Sequence, residues 1–275
     1  MSPPGTITAL LGTNGAGKTS TMEVIEGLAP VTSGTLTVLG LDPIADRDEV
    51  RRRTGVLLQD SGFSVDLTVA ESLKMWATTV TSPRSIEESM GRLGLESRAN
   101  TPVRGLSGGE KRRLDLACTL MGDPEVILLD EPTTGLDPAS RREVWNLVND
   151  LRDNGATVLI TTHYLEEAEV LADRVEIMHA GQIVRSGTPA EIAADHPSTI
   201  SFTTPAAADW LLGLGADIEH QRDTTSIKTR DLQTALLQLL TAAERDGITL
   251  TNLEARTASL ESVFLGIAES EGALR

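Results

Sequence analysis

Gly12-Thr13-Asn14-Gly15-Ala16-Gly17-Lys18-Thr19 spells G-x-x-x-x-G-K-[ST], a spacing suited to holding phosphate. Its glycines let the backbone curl until several N–H groups point at one phosphate. A helix starting there adds the positive end of its dipole. Lys18 supplies a mobile cation for the outer phosphates, and the Thr19 hydroxyl can enter a Mg²⁺ shell. Acidic chemistry follows at Val126-Ile127-Leu128-Leu129-Asp130-Glu131. Asp130, at the carboxyl end of an apolar strand, is placed to hold the water shell of a Mg²⁺ ion opposite Thr19. Glu131, one residue on, is placed to polarise a water for attack on a γ-phosphate.

A second phosphate-binding pattern is Leu106-Ser107-Gly108-Gly109-Glu110, just ahead of a helix over Lys111–Met121. Ser107-x-x-Glu110 is a capping box in its own right. Two glycines in a first helical turn nevertheless lower helix propensity by roughly 1 kcal/mol each. That cost makes sense where bare backbone must approach a ligand, with the Ser107 hydroxyl and the helix dipole beside it. Two phosphate sites so far apart in one chain point to two molecules clasping shared nucleotides head to tail. Lys111, Arg112 and Arg113 read as a solvated helix face.

These residues need strands and helices to hold them. Ile7–Leu11 reads as the strand before the phosphate loop and Ser20–Glu26 as the helix after it. Further strands are expected at Thr35–Val38, Gly55–Gln59, Val126–Asp130 and Thr157–Thr162. The runs at 126–129 and 157–160 are almost wholly apolar, as in a parallel sheet covered on both faces. The alternation with helices implies an α/β fold. Residues 65–121 read as a helical insert with capping boxes at Thr68…Glu71 and Ser85…Glu88. A hairpin joins Val175–Met178 to Gln182–Val184 through Ala180-Gly181. From 198 the expected order is strand (Ile200–Phe202), helix (Ala206–Leu212), strands (Ile218-Glu219 and Ser226–Lys228), helix (Asp231–Glu244), strand (Ile248–Leu253) and helix (Ser259–Ile267). That is a ferredoxin-like α+β arrangement. The expected domains are therefore 1–197 and 198–275.

Composition narrows the function classes. A chain of 275 residues with net charge −16 is poorly suited to nonspecific nucleic-acid binding, and its seven aromatics (three Trp, one Tyr, three Phe) offer few stacking platforms. No apolar run is long enough to span a bilayer, and the first residues have no signal-peptide pattern; a cytoplasmic protein is expected. The single cysteine, Cys118, reads as a packed small hydrophobe.

The order of motifs resembles the nucleotide-binding subunits of ATP-binding-cassette (ABC) transporters. By that likeness Gly12, Thr13, Asn14, Gly15, Ala16, Gly17, Lys18, Thr19 and Ser20 form the Walker A loop. Gln59 matches the Q-loop glutamine, Ser107–Glu110 the signature, and Val126–Asp130 Walker B. Glu131 matches the catalytic glutamate, Asp137 in Gly135-Leu136-Asp137 the D-loop, and His163 the switch histidine. Leu106–Ala117 and the tail Ala258–Leu265 are similar to the drug-resistance, daunorubicin-type exporter branch. Glu110 replaces the commoner Gln, a negative charge that the helix dipole and Lys111 are expected to offset.

The resemblance implies an ATPase with ATP and Mg²⁺ as ligands, the ion held by Thr19, Gln59 and Asp130. It implies a homodimer, or a heterodimer with a second ATPase subunit, around two ATP. A separate integral membrane permease would dock a helix near Gln59 and Asp66–Val69, placing the protein at the inner face of the membrane. The cargo would be a drug, antibiotic or lipid-like molecule. A translation- or repair-associated ABC ATPase is the alternative, though one cassette without sustained heptads speaks against it. A regulator that no longer hydrolyses is another, opposed by the presence of Glu131 and His163. Family members carry further β-strands ahead of Walker A, one with an aromatic ring that stacks on adenine. Here no Phe, Tyr or Trp precedes Phe63. The chain is thus expected to be N-terminally truncated, with an incomplete antiparallel subdomain, no adenine platform and an unpaired edge near Thr35–Val38.

Overall fold

A computed structural model describes residues 2–58, 62–194, 196–203, 217–221 and 224–264. The chain divides into two compact units, Met1–Thr188 and Pro189–Arg275.

In the first unit six strands form one sheet: β1 (Ile7–Gly12), β2 (Thr54–Leu57), β3 (Val126–Asp130), β4 (Thr157–Thr162), β5 (Arg174–His179) and β6 (Gln182–Gly187). Their order is β2-β3-β4-β1-β5-β6. All neighbours are parallel except the β5–β6 hairpin, whose turn places Ala180 and Gly181 at positive φ. β1 is buried along its whole length, which is why it carries no charge before the glycine loop. Pairing register positions the chemistry. Leu11 lies opposite Thr162, and Asp130 opposite Thr161, so the ends of β1, β3 and β4 share one rim. Ligands of open α/β sheets bind at such carboxyl ends.

The helices that carry functional residues are α1 (Lys18–Ile25), α2 (Arg47–Arg53), α3 (Val69–Ala77), α4 (Ile86–Arg92), α5 (Gly108–Thr119), α6 (Pro138–Asp153) and α7 (Leu165–Leu171). Residues 65–121 carry α3, α4 and α5, and they share a core with the sheet. Leu73, Leu95, Leu114 and Leu116 are packed into the same cluster as Ile127, Leu129 and Val158 of the sheet. Full burial of each such leucine contributes about 2 kcal/mol, and sharing them fixes α5 rigidly over β2 and β3.

Two local expectations are corrected. Thr35–Val38 is not a strand, and Val38 forms only an isolated bridge with Leu41. A strand needs a hydrogen-bonded neighbour, and this segment turns back on itself with Leu39 and Gly40 at positive φ. Thr68…Glu71 forms both halves of its capping box, whereas Ser85…Glu88 forms one. The Glu88 carboxylate is taken by Arg84 instead. Cys118 is buried, as expected, and burial pushes its thiol well above the ordinary range.

The second unit contains α8 (Pro189–Ala194), β7 (Ser198–Thr203), β8 (Asp217–Gln221), β9 (Thr224–Thr229), α9 (Leu232–Arg245) and β10 (Thr251–Arg256). The strand order is β10-β7-β9-β8, with every neighbouring pair antiparallel. That is the order of a ferredoxin-like sheet. Ile200, Phe202, Ile227 and Leu239 make its core. β10 begins three residues later than the hydrophobic pattern implies, because Gly247 (φ +65°) and an Ile248 N–H to Ala243 bond of 2.8 Å close α9 first. The helix expected at Ala206–Leu212 lies outside the described residues. The last helix starts at Leu260, one residue later than expected, and is present over 260–264, with 265–267 lying outside the described residues.

Candidate functional site

The phosphate loop joins β1 to α1. Gly17 caps α1 at φ +104°, a conformation that costs a residue with a Cβ, and no side chain caps the helix. The first N–H groups of α1 are thus left for a ligand, as an anion site requires. Lys18 is buried. Its Nζ donates to the carbonyls of Gly12 at 2.8 Å and Thr13 at 3.2 Å, arching the ammonium back over the loop. Burial lowers its pKa, while the nearby Glu131 and Asp130 carboxylates pull it back up. Thr19 and Ser20 are exposed on the first turn.

On the same rim, Asp130 Oδ1 accepts a hydrogen bond from the Thr161 hydroxyl. Glu131 has φ +46°, unusual for a residue with a Cβ. Its N–H donates to the Thr161 carbonyl at 3.0 Å. Its Oε1 lies 3.0 Å from His163 Nδ1, and its Oε2 accepts from the Thr134 hydroxyl at 3.1 Å. Lys18, Asp130, Glu131 and His163, distant in sequence, therefore come together. Gln59 lies outside the described residues.

Mg²⁺ is tested by the donor set. Thr19 and Asp130 offer hard oxygens, and among the described residues no cluster of three or more acidic, His or Cys side chains forms a protein cage. Mg²⁺ suits such a site because it keeps waters and takes phosphate oxygens alongside one or two protein ligands.

The signature residues occupy a different place. Ser107 and Glu110 form a complete capping box at the start of α5. Arg98 Nε donates to Glu110 Oε1 at 2.7 Å, so Arg98 joins the helix N-terminus in offsetting the extra charge, a partner the sequence alone does not reveal. Asp137 caps α6, accepting from the N–H groups of Ala139 and Ser140 and from the Ser140 hydroxyl. The two glycines have different reasons. A Cβ on Gly109 would meet Ser140 Oγ at 2.5 Å, whereas one on Gly108 would meet open space. Among the described residues, the side-chain hydrogen bonds of Ser107 and Glu110 run to each other and to Arg98, those of Asp137 run to Ala139 and Ser140, and none reaches residues 12–19.

The Ser107 N–H and then Arg98 hold the Glu110 carboxyl below its ordinary pKa. Such a group contributes stability above the unfolded carboxylate pKa of about 4.3, lost as pH falls through the folded value. Glu110→Gln should therefore destabilise the protein at pH 7 by less than about 1 kcal/mol, given the exposed partner. Thermal melts should show that difference shrinking as pH falls below the ordinary carboxylate range and through the lowered folded value. A difference that does not shrink would assign it to packing instead.

The expectation of a solvated Lys111–Arg113 face is overturned by Arg112, which is 7% exposed. Its guanidinium donates to four carbonyls: Pro132 (2.7 Å), Leu58 (2.8 Å), Asp130 (3.0 Å) and Glu131 (3.1 Å). The signal was its spacing, since Leu116 and Thr119 lie four and seven residues on, along one buried stripe. Sequence reasoning also missed Glu167, whose buried Oε1 accepts from the Thr133 hydroxyl (2.8 Å) and Trp145 Nε1 (3.1 Å). Tyr164 packs on His163, with ring centroids 4.1 Å apart, beneath the Arg141 guanidinium.

Beside the insert, Leu58, Phe63, Met75 and Trp76 line an apolar groove of about 210 Å³. Leu58 and Met75 are largely exposed there. No described helix is long and apolar enough to cross a membrane.

Comparison with known proteins agrees with this geometry. Residues 2–134 match the ABC transporter family model, and residues 198–259 match the ABC transporter domain-containing protein-like C-terminal domain. A daunorubicin resistance ATP-binding protein of Streptomyces coeruleorubidus is 36% identical over 273 residues, covering 95% of this chain and 86% of its own. The Nod factor export ATP-binding protein I of Ralstonia nicotianae is 35% identical, covering 95% and 85%. A linearmycin resistance ATP-binding protein of Bacillus subtilis is 31% identical, covering 94% and 88%. A solved ATP-binding subunit of an ABC transporter superposes with a TM-score of 0.63 at 27% identity, covering 71% of this chain and 83% of that one. The loop at Gly12–Thr19, the acidic rim it faces and relatives that match nearly end to end make this chain a member of the ATP-binding subunits of ABC transporters, an ABC-type ATPase.

Proposed function

We propose that the chain is the ATP-hydrolysing subunit of an exporter for a drug, antibiotic or lipid-like molecule. The contact of Glu131 with His163 on the rim faced by Lys18 carries the hydrolytic reading. The names of the relatives above support export of small natural products.

In this reading Gly12–Ser20 wraps the phosphates of ATP, with Lys18 leaving its carbonyls for the outer phosphates. Thr19 and Asp130 hold Mg²⁺, together with Gln59 by family likeness. The ion supplies charge neutralisation of the phosphate oxygens when bound. Glu131 accepts the proton of the attacking water, and His163 holds both the Glu131 carboxylate and the γ-phosphate side of the site. Ser107–Glu110 of a second ATPase subunit closes the nucleotide from the other side. The open space at Gly108 lets backbone approach a phosphate there. Asp137, through Ser140, fixes the start of α6 against Gly109 and so steadies that surface.

A membrane permease docks a helix in the groove of Leu58, Phe63, Met75 and Trp76, which holds the ATPase at the inner face of the membrane. Isolation from detergent-solubilised native membranes tests this. The chain should co-isolate with a multi-span integral membrane protein, and Leu58→Glu with Trp76→Ala should release it. Co-isolation with ribosomes or DNA, indifferent to those substitutions, would overturn the transport reading.

A further inference from the structure

We propose that Arg112 is a positioning residue for the Glu131 carboxylate, an inference that rests on Glu131 being the general base. Glu131 sits in a left-handed backbone conformation that disfavours any residue with a Cβ. Something must hold it there. On one side the Glu131 N–H is tied to the Thr161 carbonyl. On the other, three consecutive carbonyls, those of Asp130, Glu131 and Pro132, converge on the guanidinium of Arg112.

The chemistry of that side chain matches the task. A guanidinium is flat, permanently charged and carries five N–H donors in a fixed fork. It can gather the carbonyls of a tight turn that an ammonium, with its single nitrogen, could not span. Burying a cation is costly, and simple filling of the space would be met by an apolar side chain. Asp115, one turn along the same helix, sits 4.0 Å away and moderates the cost. The fourth bond runs to the Leu58 carbonyl, at the edge of the apolar groove.

Arg112 belongs to α5, the helix that opens with Ser107-Gly108-Gly109. The surface facing a second subunit's nucleotide and the turn bearing this subunit's Glu131 are therefore joined by one side chain. Any tilt of α5 reaches the Glu131 backbone through the same fork.

The test uses full-length Arg112→Lys, Arg112→Met, Glu131→Gln and the double variant Arg112→Lys/Glu131→Gln. ATP affinity, thermal stability and single-turnover hydrolysis are measured for each. Arg112→Met should lower the hydrolysis rate about a hundredfold, the loss expected from misplacing a catalytic group by about 1 Å. Arg112→Lys should lose about tenfold, with ATP affinity within about twofold of native, because only the orientation of the base is disturbed. The double variant should be no slower than Glu131→Gln alone, since Arg112 has nothing left to position. If Arg112→Met fails to fold, Arg112→Lys and the double variant decide. Native rates in Arg112→Lys while Glu131→Gln is inactive would overturn the proposal. So would losses that multiply in the double variant, the signature of a general structural defect. Native turnover by Glu131→Gln would instead remove Glu131 from its role, and the Arg112 proposal with it.

Discussion

Glu131→Gln should turn over ATP about 10²- to 10⁴-fold more slowly than the native protein, the usual contribution of a general base. The amide keeps the size of the carboxylate, and its carbonyl oxygen can still accept from His163 or from the Thr134 hydroxyl. It cannot take the proton from water. Binding should survive, because the phosphate loop and Lys18 are untouched. If hydrolysis is what reopens a pair of subunits closed on ATP, this variant should accumulate as a dimer. Light scattering coupled to size exclusion, in the presence of ATP, would show a mass near twice that of one chain. Full turnover with no change in mass would exclude both the base and the dimer cycle.

Lys18→Ala should abolish measurable ATP binding. The ammonium now bonded to the Gly12 and Thr13 carbonyls is the buried cation closest in character to what the outer phosphates need. Hydrogen bonds to charged groups are worth about 1.5–3 kcal/mol each, so losing two weakens ATP by roughly a hundredfold or more. The fold without nucleotide should be little affected, since the variant also removes the burial penalty that lowers the lysine pKa. Thermal melts separate the effects: the transition without ATP stays near native, and the upward shift normally produced by ATP disappears. A retained shift of native size would place the nucleotide elsewhere.

Much of the site is legible from the chain because its chemistry is local. A phosphate loop needs its glycines, lysine and hydroxyl within one turn of backbone, and a capping box needs its partners three residues apart. Ser107–Glu110 and Thr68–Glu71 accordingly form as read. The apolar runs before Asp130 and at 157–160 likewise announce buried parallel strands, since a strand covered on both faces has no room for polar alternation.

Other features depend on contacts between distant segments. Thr35–Val38 has strand-like residues, yet no neighbour completes its hydrogen bonds, so it remains a loop with one bridge. Lys111, Arg112 and Arg113 are alike in composition; spacing puts Arg112 on the stripe of Leu116 and Thr119, and the docking of α5 supplies the carbonyls that hold it there. Arg98 compensates Glu110 from another element, and Gly109 is required by Ser140 across a helix boundary. The sequence by itself determined the glycine-rich loop at Gly12–Thr19 and the strands that carry it and the acidic pair, because such patterns act over a few bonds of chain. Tertiary structure alone decided that Glu131 meets His163 and that Arg112 gathers the carbonyls of Asp130, Glu131 and Pro132. Burial of a charge and the meeting of remote side chains are properties of packed surfaces, which no single segment encodes.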